Sequence, residues 1–195
     1  MSGPLNGVRV VDLTTMLSGP CAAQTLAEMG ADVIKVETPE GDNLRNIGAS
    51  RSGDMGPMHL HANRGKRSIV LDLKTDNGRD AFLALAKTAD VLICNVRIKA
   101  MQRLRLSYED MKTVNPSLIY VNIVGFGSGG PYSDRPAYDD LIQAAVGIPS
   151  LGALARRWRQ IRADRGGGPC DRHECRKRRA WRALSPAQDR RRTIH

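Results

Sequence analysis

The chain has 195 residues, a formal net charge of +10, 41% hydrophobic and 4% aromatic residues, and four cysteines. That length can bury a real core. With no charged-then-apolar leader, no apolar run of bilayer length and only the scattered Cys21, Cys94, Cys170 and Cys175, the sequence reads against a secreted disulfide scaffold and a membrane protein, and a cytoplasmic location is expected.

The element pattern begins with Val8 to Leu13, a short β-branched run that suits a strand buried on both faces. Thr14 to Ser18 reads as a turn. Pro20 is taken as an opening helical position, and Ala22, Ala23, Leu26 and Met29 as the apolar stripe of that helix. Gly30 is placed as the left-handed residue that ends it. Asp32 to Glu37 is the second strand. In a β-α-β unit the crossover is right-handed and ligands sit beyond the carboxyl ends of the strands, so Thr14–Ser18 and Glu37–Glu40 are expected on the binding edge.

Residues 39–66 are polar and glycine-rich without clear period and read as a long surface loop, of the kind that often carries function. Its end, Asn63 to Ser68, is cationic; charge patterning alone makes it a solvated basic turn. Ser68 to Leu73 is a third strand. Asp76 or Asn77 caps a helix over Gly78–Thr88 that turns Ala81 and Leu85 to the sheet. Val91 to Cys94 is a fourth strand and Met101 to Leu106 a helical turn. Ser107 and Asp110 form a capping box with Asp in place of Glu, opening a helix through Val114. Leu118 to Val124 is a fifth strand, and a further helix covers Asp139 to Val146. This alternation predicts an α/β fold, a Rossmann-like parallel sheet with flanking helices. Gly125 to Gly130 matches GxGxxG after a strand, but Pro131 follows where a helix N-terminus is needed. The first β-α turn holds one glycine, so a dinucleotide site is rejected.

The charge is not evenly spread. The last 41 residues hold 14 Lys and Arg against 4 Asp and Glu, which is the whole excess, and residues 1–154 are neutral. The tail has no apolar period and is expected to be disordered. Its arginines suit non-specific, salt-sensitive binding to nucleic acid, which gives the reading of a nucleic-acid-binding protein. Cys170, His173 and Cys175 are metal-ligand types, but the spacing fits no common zinc pattern and a fourth ligand is missing.

Five stretches taken together, RVVDLT-x4-GP-x9-GADVIKVE, NRGKRSIVLDLK, ADVLICN, NPSLIYVNIVGFG and GPYSDRPAYD, resemble the N-terminal part of a class III CoA-transferase, the group of formyl-CoA transferase, carnitine CoA-transferase and α-methylacyl-CoA racemase. The resemblance covers about residues 4–150 and divides the chain into a Rossmann-like domain, 1–150, and an Arg-rich tail, 151–195, foreign to the family. It implies an acyl-CoA:carboxylate CoA-transferase in which an aspartate takes the acyl group as a mixed anhydride and then carries CoA as a thioester. Covalent catalysis of this kind splits one hard transfer into easier steps. It also implies acyl-CoA and a carboxylic acid as substrates, coenzyme A carried as substrate with no bound cofactor, an interlocked homodimer and no membrane.

By the same resemblance CoA is contacted by Thr15, Met16, Leu17 and Ser18 after the first strand, by Leu71 and Lys74, and by Asn95, Val96 and Arg103 after the fourth. Cations there suit the phosphates of CoA. Leu71 and Val96 are open to a plain core role. The sequence departs from the family at Val96, where phenylalanine is usual, and at Arg97-Ile98-Lys99, where arginine-proline-glycine often stands. Tyr138-Asp139 stands where the racemase branch has histidine-aspartate, which reads against that branch. The nucleophile would fall some thirty residues further on, inside the tail, so no catalytic residue is assigned. Read one nucleotide out of frame, Gln188 to Ile194 can encode Lys-Thr-Gly-Asp-Gly-Gln and Gln160 to Cys170 a second family-like segment, with the aspartate spanning Gly168 and Pro169. A frameshift between about Leu151 and Arg159, leaving an inactive N-terminal fragment, is therefore expected.

Overall fold

The computed structural model describes residues 3–127 and 129–151. The arginine-rich tail, with the expectations of disorder, metal ligation, nucleic-acid binding and a frameshift attached to it, lies outside them. Residues up to Ala137 form one compact unit, and a second begins at Tyr138. Among the described residues no helix is long and apolar enough to cross a membrane.

The first unit is an α/β fold on a five-stranded sheet of β1 (Arg9–Leu13), β2 (Asp32–Glu37), β3 (Arg67–Val70), β4 (Val91–Cys94) and β5 (Ile119–Asn122). The order across the sheet is β3-β2-β1-β4-β5 and every pairing is parallel. The chain runs outward from β1 to β2 and β3, then returns to place β4 on the other side of β1. The switch point of this topology, where a ligand crevice forms, is therefore between β1 and β4.

Strand alternation sorts the core into two layers. On one face Val11, Leu13, Val36, Leu92 and Cys94 pack with Phe82 and Ala86 of α3 (Asp76–Ala86), Met101 of α4 (Ile98–Arg103), Leu106, and Met111 of α5 (Tyr108–Val114). On the other, Val10, Val33 and Ile93 pack with Ala23 of α1 (Ser18–Glu28) and with Ala31. The central strands are buried, whereas β3 and β5 are edge strands and β3 is exposed along its length. The reading of β1 as a strand buried on both faces thus holds.

Helix termini follow local chemistry. The capping box of α5 is present in full: the Ser107 hydroxyl accepts the Asp110 N–H, and the Asp110 carboxylate accepts the Ser107 N–H at 2.9 Å. Gly30 has φ +99 and ends α1 in a Schellman motif, with Ala31 N–H on Leu26 C=O and Gly30 N–H on Ala27 C=O.

Several boundaries differ from the sequence reading. α1 opens at Ser18, so Pro20 is its third residue and its missing N–H is still one of the unpaired donors. Ala23 lies on its buried side, but Ala22 and Met29 are exposed. Thr75, not Asp76 or Asn77, caps α3 by accepting the Gly78 N–H at 3.1 Å, and this turns Phe82 and Ala86 inward and leaves Ala81 outside. α4 runs three residues earlier than expected because Arg105 adopts φ +55 and closes it without a glycine. β3 and β5 are shorter than the apolar runs that announced them.

The supposed loop 39–66 is the largest correction. It holds a 3-10 turn, η1 (Asn43–Asn46), and a helix, α2 (Pro57–Ala62), opened by a proline at its first position. Glu37 ties it down. Arg45 donates to both carboxylate oxygens at 2.6 and 2.7 Å, Ser68 Oγ at 2.6 Å and the Asp42 N–H at 3.0 Å. Burial raises the Glu37 pKa, but the bonds from Arg45, Ser68 and Asp42 outweigh it and hold it at about 2, against an ordinary 4.5.

In the second unit α6 (Asp139–Ala145) has Tyr138 at its N-cap position and a Gln143–Asp139 side-chain bond of 2.7 Å, and residues 148–151 are helical as well.

Two outcomes follow. Phe82→Ala opens a cavity at a fully buried site and should cost about 3–5 kcal/mol in a denaturant melt. Because Glu37 is depressed, its contribution is intact above about pH 4.5 and is lost as pH falls toward about 2. This corresponds to roughly 3 kcal/mol. Acid unfolding of Glu37→Gln should be shallower over that interval, from a lower stability at pH 7.

Candidate functional site

The carboxyl ends of β1, β2 and β4 carry a dense polar layer. β1 turns Val10, Asp12 and Thr14 to the α1 side, and β2 turns Val33, Lys35 and Glu37 to the same side. That face is apolar at its amino half and ionic at its carboxyl half. Asp12 and Lys35 face each other in register, yet each takes its principal partner elsewhere. Lys66 Nζ reaches Asp12 at 2.7 Å and also donates to Pro20 C=O at 2.8 Å and Asn63 Oδ1 at 2.9 Å. Lys35 Nζ lies 2.9 Å from Asp42 and donates to Thr14 C=O at 2.8 Å. All four ionic side chains are at most 2% exposed. Burial pulls the Lys66 ammonium below its ordinary range, against the opposing pull of Asp12.

Asn63 to Ser68 is therefore a solvated basic turn only in part, since Arg64 and Arg67 are exposed and Lys66 is not. Lys66 is buried, Arg64 pairs with Glu28, and Arg67 grips Asp32 through both its oxygens at 2.7 Å. The pairs with Glu28 and Asp32 hold those carboxyls below their ordinary range.

Above this layer sits the turn Thr15–Ser18, whose four residues are all exposed. Gly19 lets α1 start directly against it: a Cβ there would meet Thr14 Cβ at 2.4 Å. Asn95, directly after β4, is joined to Thr15 by two hydrogen bonds. Of the residues expected to contact CoA, Thr15 and Asn95 are thus brought together, and Met16, Leu17 and Ser18 continue the same turn. Leu71 and Val96 also follow strand ends but pack against the α3 core layer, the competing role for both. Lys74 is exposed just before α3. Its charge adds, after Glu40's own backbone N–H and the Thr38 hydroxyl, to holding the Glu40 carboxyl low, which places it beside the Glu37–Glu40 edge. Arg103 is the exposed last residue of α4.

The sequence reading missed Asp12, Lys35, Asp42, Arg45 and Lys66. The one available signal was charge inside an apolar strand: Asp12, Lys35 and Glu37 each interrupt a β-branched run and need a partner if buried. Among the described residues, no group of three or more His, Cys, Asp or Glu is arranged to hold a metal, and Cys21 and Cys94 are both free thiols.

A sequence profile of CoA-transferase family III matches residues 5–161. The succinate–glutarate CoA-transferase of Agrobacterium fabrum is 47% identical over 155 residues, 76% of this chain and 39% of that enzyme. The acetyl-CoA:oxalate CoA-transferase of Acetobacter aceti is 44% identical over 147 residues, 75% of this chain and 38% of that one. Among solved structures, a CAIB/BAIF family protein from Brucella suis matches with a TM-score of 0.76 at 42% identity, over 84% of this chain and 44% of its own. Rv3272 from M. tuberculosis matches with a TM-score of 0.77 at 32% identity, over 96% of this chain and 53% of its own. The chain spans about four-tenths of the length of these curated relatives. A profile match over most of its length, relatives of this identity and the shared sheet place the chain in CoA-transferase family III.

Proposed function

We propose that this chain is the coenzyme A-binding N-terminal portion of an acyl-CoA:carboxylate CoA-transferase, and that as written it binds CoA without transferring it. The observation that carries the reading is the pair of bonds joining Asn95 to the exposed turn Thr15–Ser18 at the β1/β4 switch point; the exposed cations Lys74 and Arg103 follow β3 and β4 in the chain. Cations at this edge suit the three phosphate groups of CoA, and an exposed turn suits a ligand that lies across it.

The inactive half of the proposal rests on the carboxylates. The reaction needs a carboxylate free to attack the thioester carbonyl, expel the CoA thiolate and form a mixed anhydride, whose aspartyl carbonyl the thiolate then attacks. The buried carboxylates described on this edge are all engaged. Asp12 is held by Lys66 and Thr14, Glu37 by Arg45 and Ser68, and Asp42 by Lys35 and the Leu44 N–H. A carboxylate paired to a buried cation is a weak nucleophile and is costly to release. The position that the family uses falls beyond residue 151, where Asp164 and Asp171 lack the family's surroundings in sequence. Tyr138 in place of the racemase histidine favours transfer over racemisation.

Titration calorimetry with CoA and with pantetheine tests the binding half. CoA should bind and pantetheine should not. Lys74→Ala and Arg103→Ala should each weaken CoA about threefold to tenfold, with the loss shrinking as salt rises. Equal affinity for both ligands, or none for CoA, removes the reading. For the catalytic half, the 195-residue chain should show no turnover with a panel of acyl-CoA donors and carboxylate acceptors. A gene read in the restored frame and extended should trap an acyl-enzyme at the restored aspartate. Steady turnover by the chain as given would overturn this half, and the nucleotide sequence from codon 148 onward would show whether the frame is shifted.

A further inference from the structure

We propose that Asn95 is a positioning residue, whose carboxamide shapes the Thr15–Met16 turn and does not itself touch the nucleotide. The proposal rests on the reading of this edge as the coenzyme A site, and it reassigns the role that the family resemblance implies for Asn95.

Asn95 Oδ1 accepts the Thr15 N–H at 3.0 Å, and its Nδ2 donates to the Thr15 C=O at 2.8 Å. The amide orientation follows from the partners, since a backbone N–H only donates and a carbonyl only accepts. One carboxamide thus pairs both polar groups of one residue, as a neighbouring strand would. The flanking groups are taken from the other side of the turn. Lys35 Nζ donates to the Thr14 C=O at 2.8 Å, and the Met16 N–H lies 3.4 Å from Asp42 Oδ1. Four successive backbone groups are therefore held by side chains from three separate segments.

What they hold is an unfavourable conformation. Met16 has φ +66, the left-handed region that side chains with a Cβ avoid. Arg105, another such residue, closes a helix through ordinary backbone bonds, its own N–H on Gln102 C=O and the Leu106 N–H on Met101 C=O. Met16 has no such helix behind it and depends on the clamp. The turn it makes sets where Met16, Leu17 and Ser18 stand on the edge. One N–H of the Asn95 carboxamide and one lone pair of its oxygen are already spent on this backbone.

A double-mutant cycle on the 195-residue chain separates positioning from contact. It reads CoA affinity by calorimetry and, in the absence of CoA, exchange of the Thr15 amide by NMR. Asn95→Ala should weaken CoA about tenfold and expose the Thr15 amide to exchange. Met16→Gly removes the Cβ penalty of the left-handed conformation, so in that background Asn95→Ala should cost about threefold or less. An asparagine that contacts the ligand costs the same in both backgrounds, and that result, or unchanged Thr15 exchange in the free protein, overturns the proposal. If the parent chain binds no CoA, the functional reading fails and Thr15 exchange alone decides the positioning role. If Asn95→Ala does not fold, Asn95→Asp replaces it: its carboxylate keeps an acceptor for the Thr15 N–H but has no donor for the Thr15 C=O, so partial loss of Thr15 protection supports the clamp and exchange equal to that of the parent overturns it.

Discussion

The buried charges at the carboxyl ends of β1 and β2 are the constraint from which the rest of this edge follows. Asp12, Lys35 and Glu37 lie within strands whose other buried residues are apolar, and all three are withdrawn from water. An unpaired charge there would cost several kcal/mol, on the order of the folding stability of a small domain. Each must find a partner of opposite sign, and β1 and β2 alone do not supply a neutral set. The partners come from the segment between β2 and β3: Asp42 for Lys35, Arg45 for Glu37 and Lys66 for Asp12. Three anions and three cations close the account, and the segment folds over the strand ends because it must deliver them.

Such a layer is a poor source of net stability, since desolvation offsets most of the Coulombic gain. What it supplies is geometry. Every oxygen and nitrogen that bonds a charged partner has a narrow range of satisfactory positions, so the segment is held where all six groups are paired by charge. That fixes Asp42 beneath the Met16 N–H and the Lys35 ammonium beneath the Thr14 carbonyl. The same commitment makes these carboxylates unsuitable for covalent catalysis.

This explains what could be read from the sequence. Strand runs, the Ser107–Asp110 box and the Gly30 stop depend on residues at most a few positions apart, and they appear where expected. The sheet order follows because parallel connections permit few arrangements. The segment 39–66 was misread because its organisation is non-local. Lys66 looks solvated beside Arg64, Lys66's neighbour Gly65 and Arg67, but its partner Asp12 is 54 positions away. The end of α4 was misplaced because Arg105 takes the left-handed conformation that glycine would have signalled. Asn95 could be placed on the right edge from its position after β4, but the bond to Thr15, 80 positions earlier, is invisible to any local pattern.

The two halves of the edge therefore divide the work by depth. Below, charges cancel in pairs and hold the backbone. Above, the turn has its carbonyls and N–H groups from Thr14 to Met16 consumed by those supports, so it has little backbone polarity of its own to offer a ligand. What remains exposed is side chain, from Thr15 to Ser18, together with the unpaired N–H groups at the start of α1, which Gly19 allows to approach the strand end closely. On the proposed reading of this edge as the coenzyme site, recognition is by surface shape and by peripheral cations while the buried pairs set the shape, so that a substitution among the pairs changes binding by moving the turn, without removing any atom that the ligand touches.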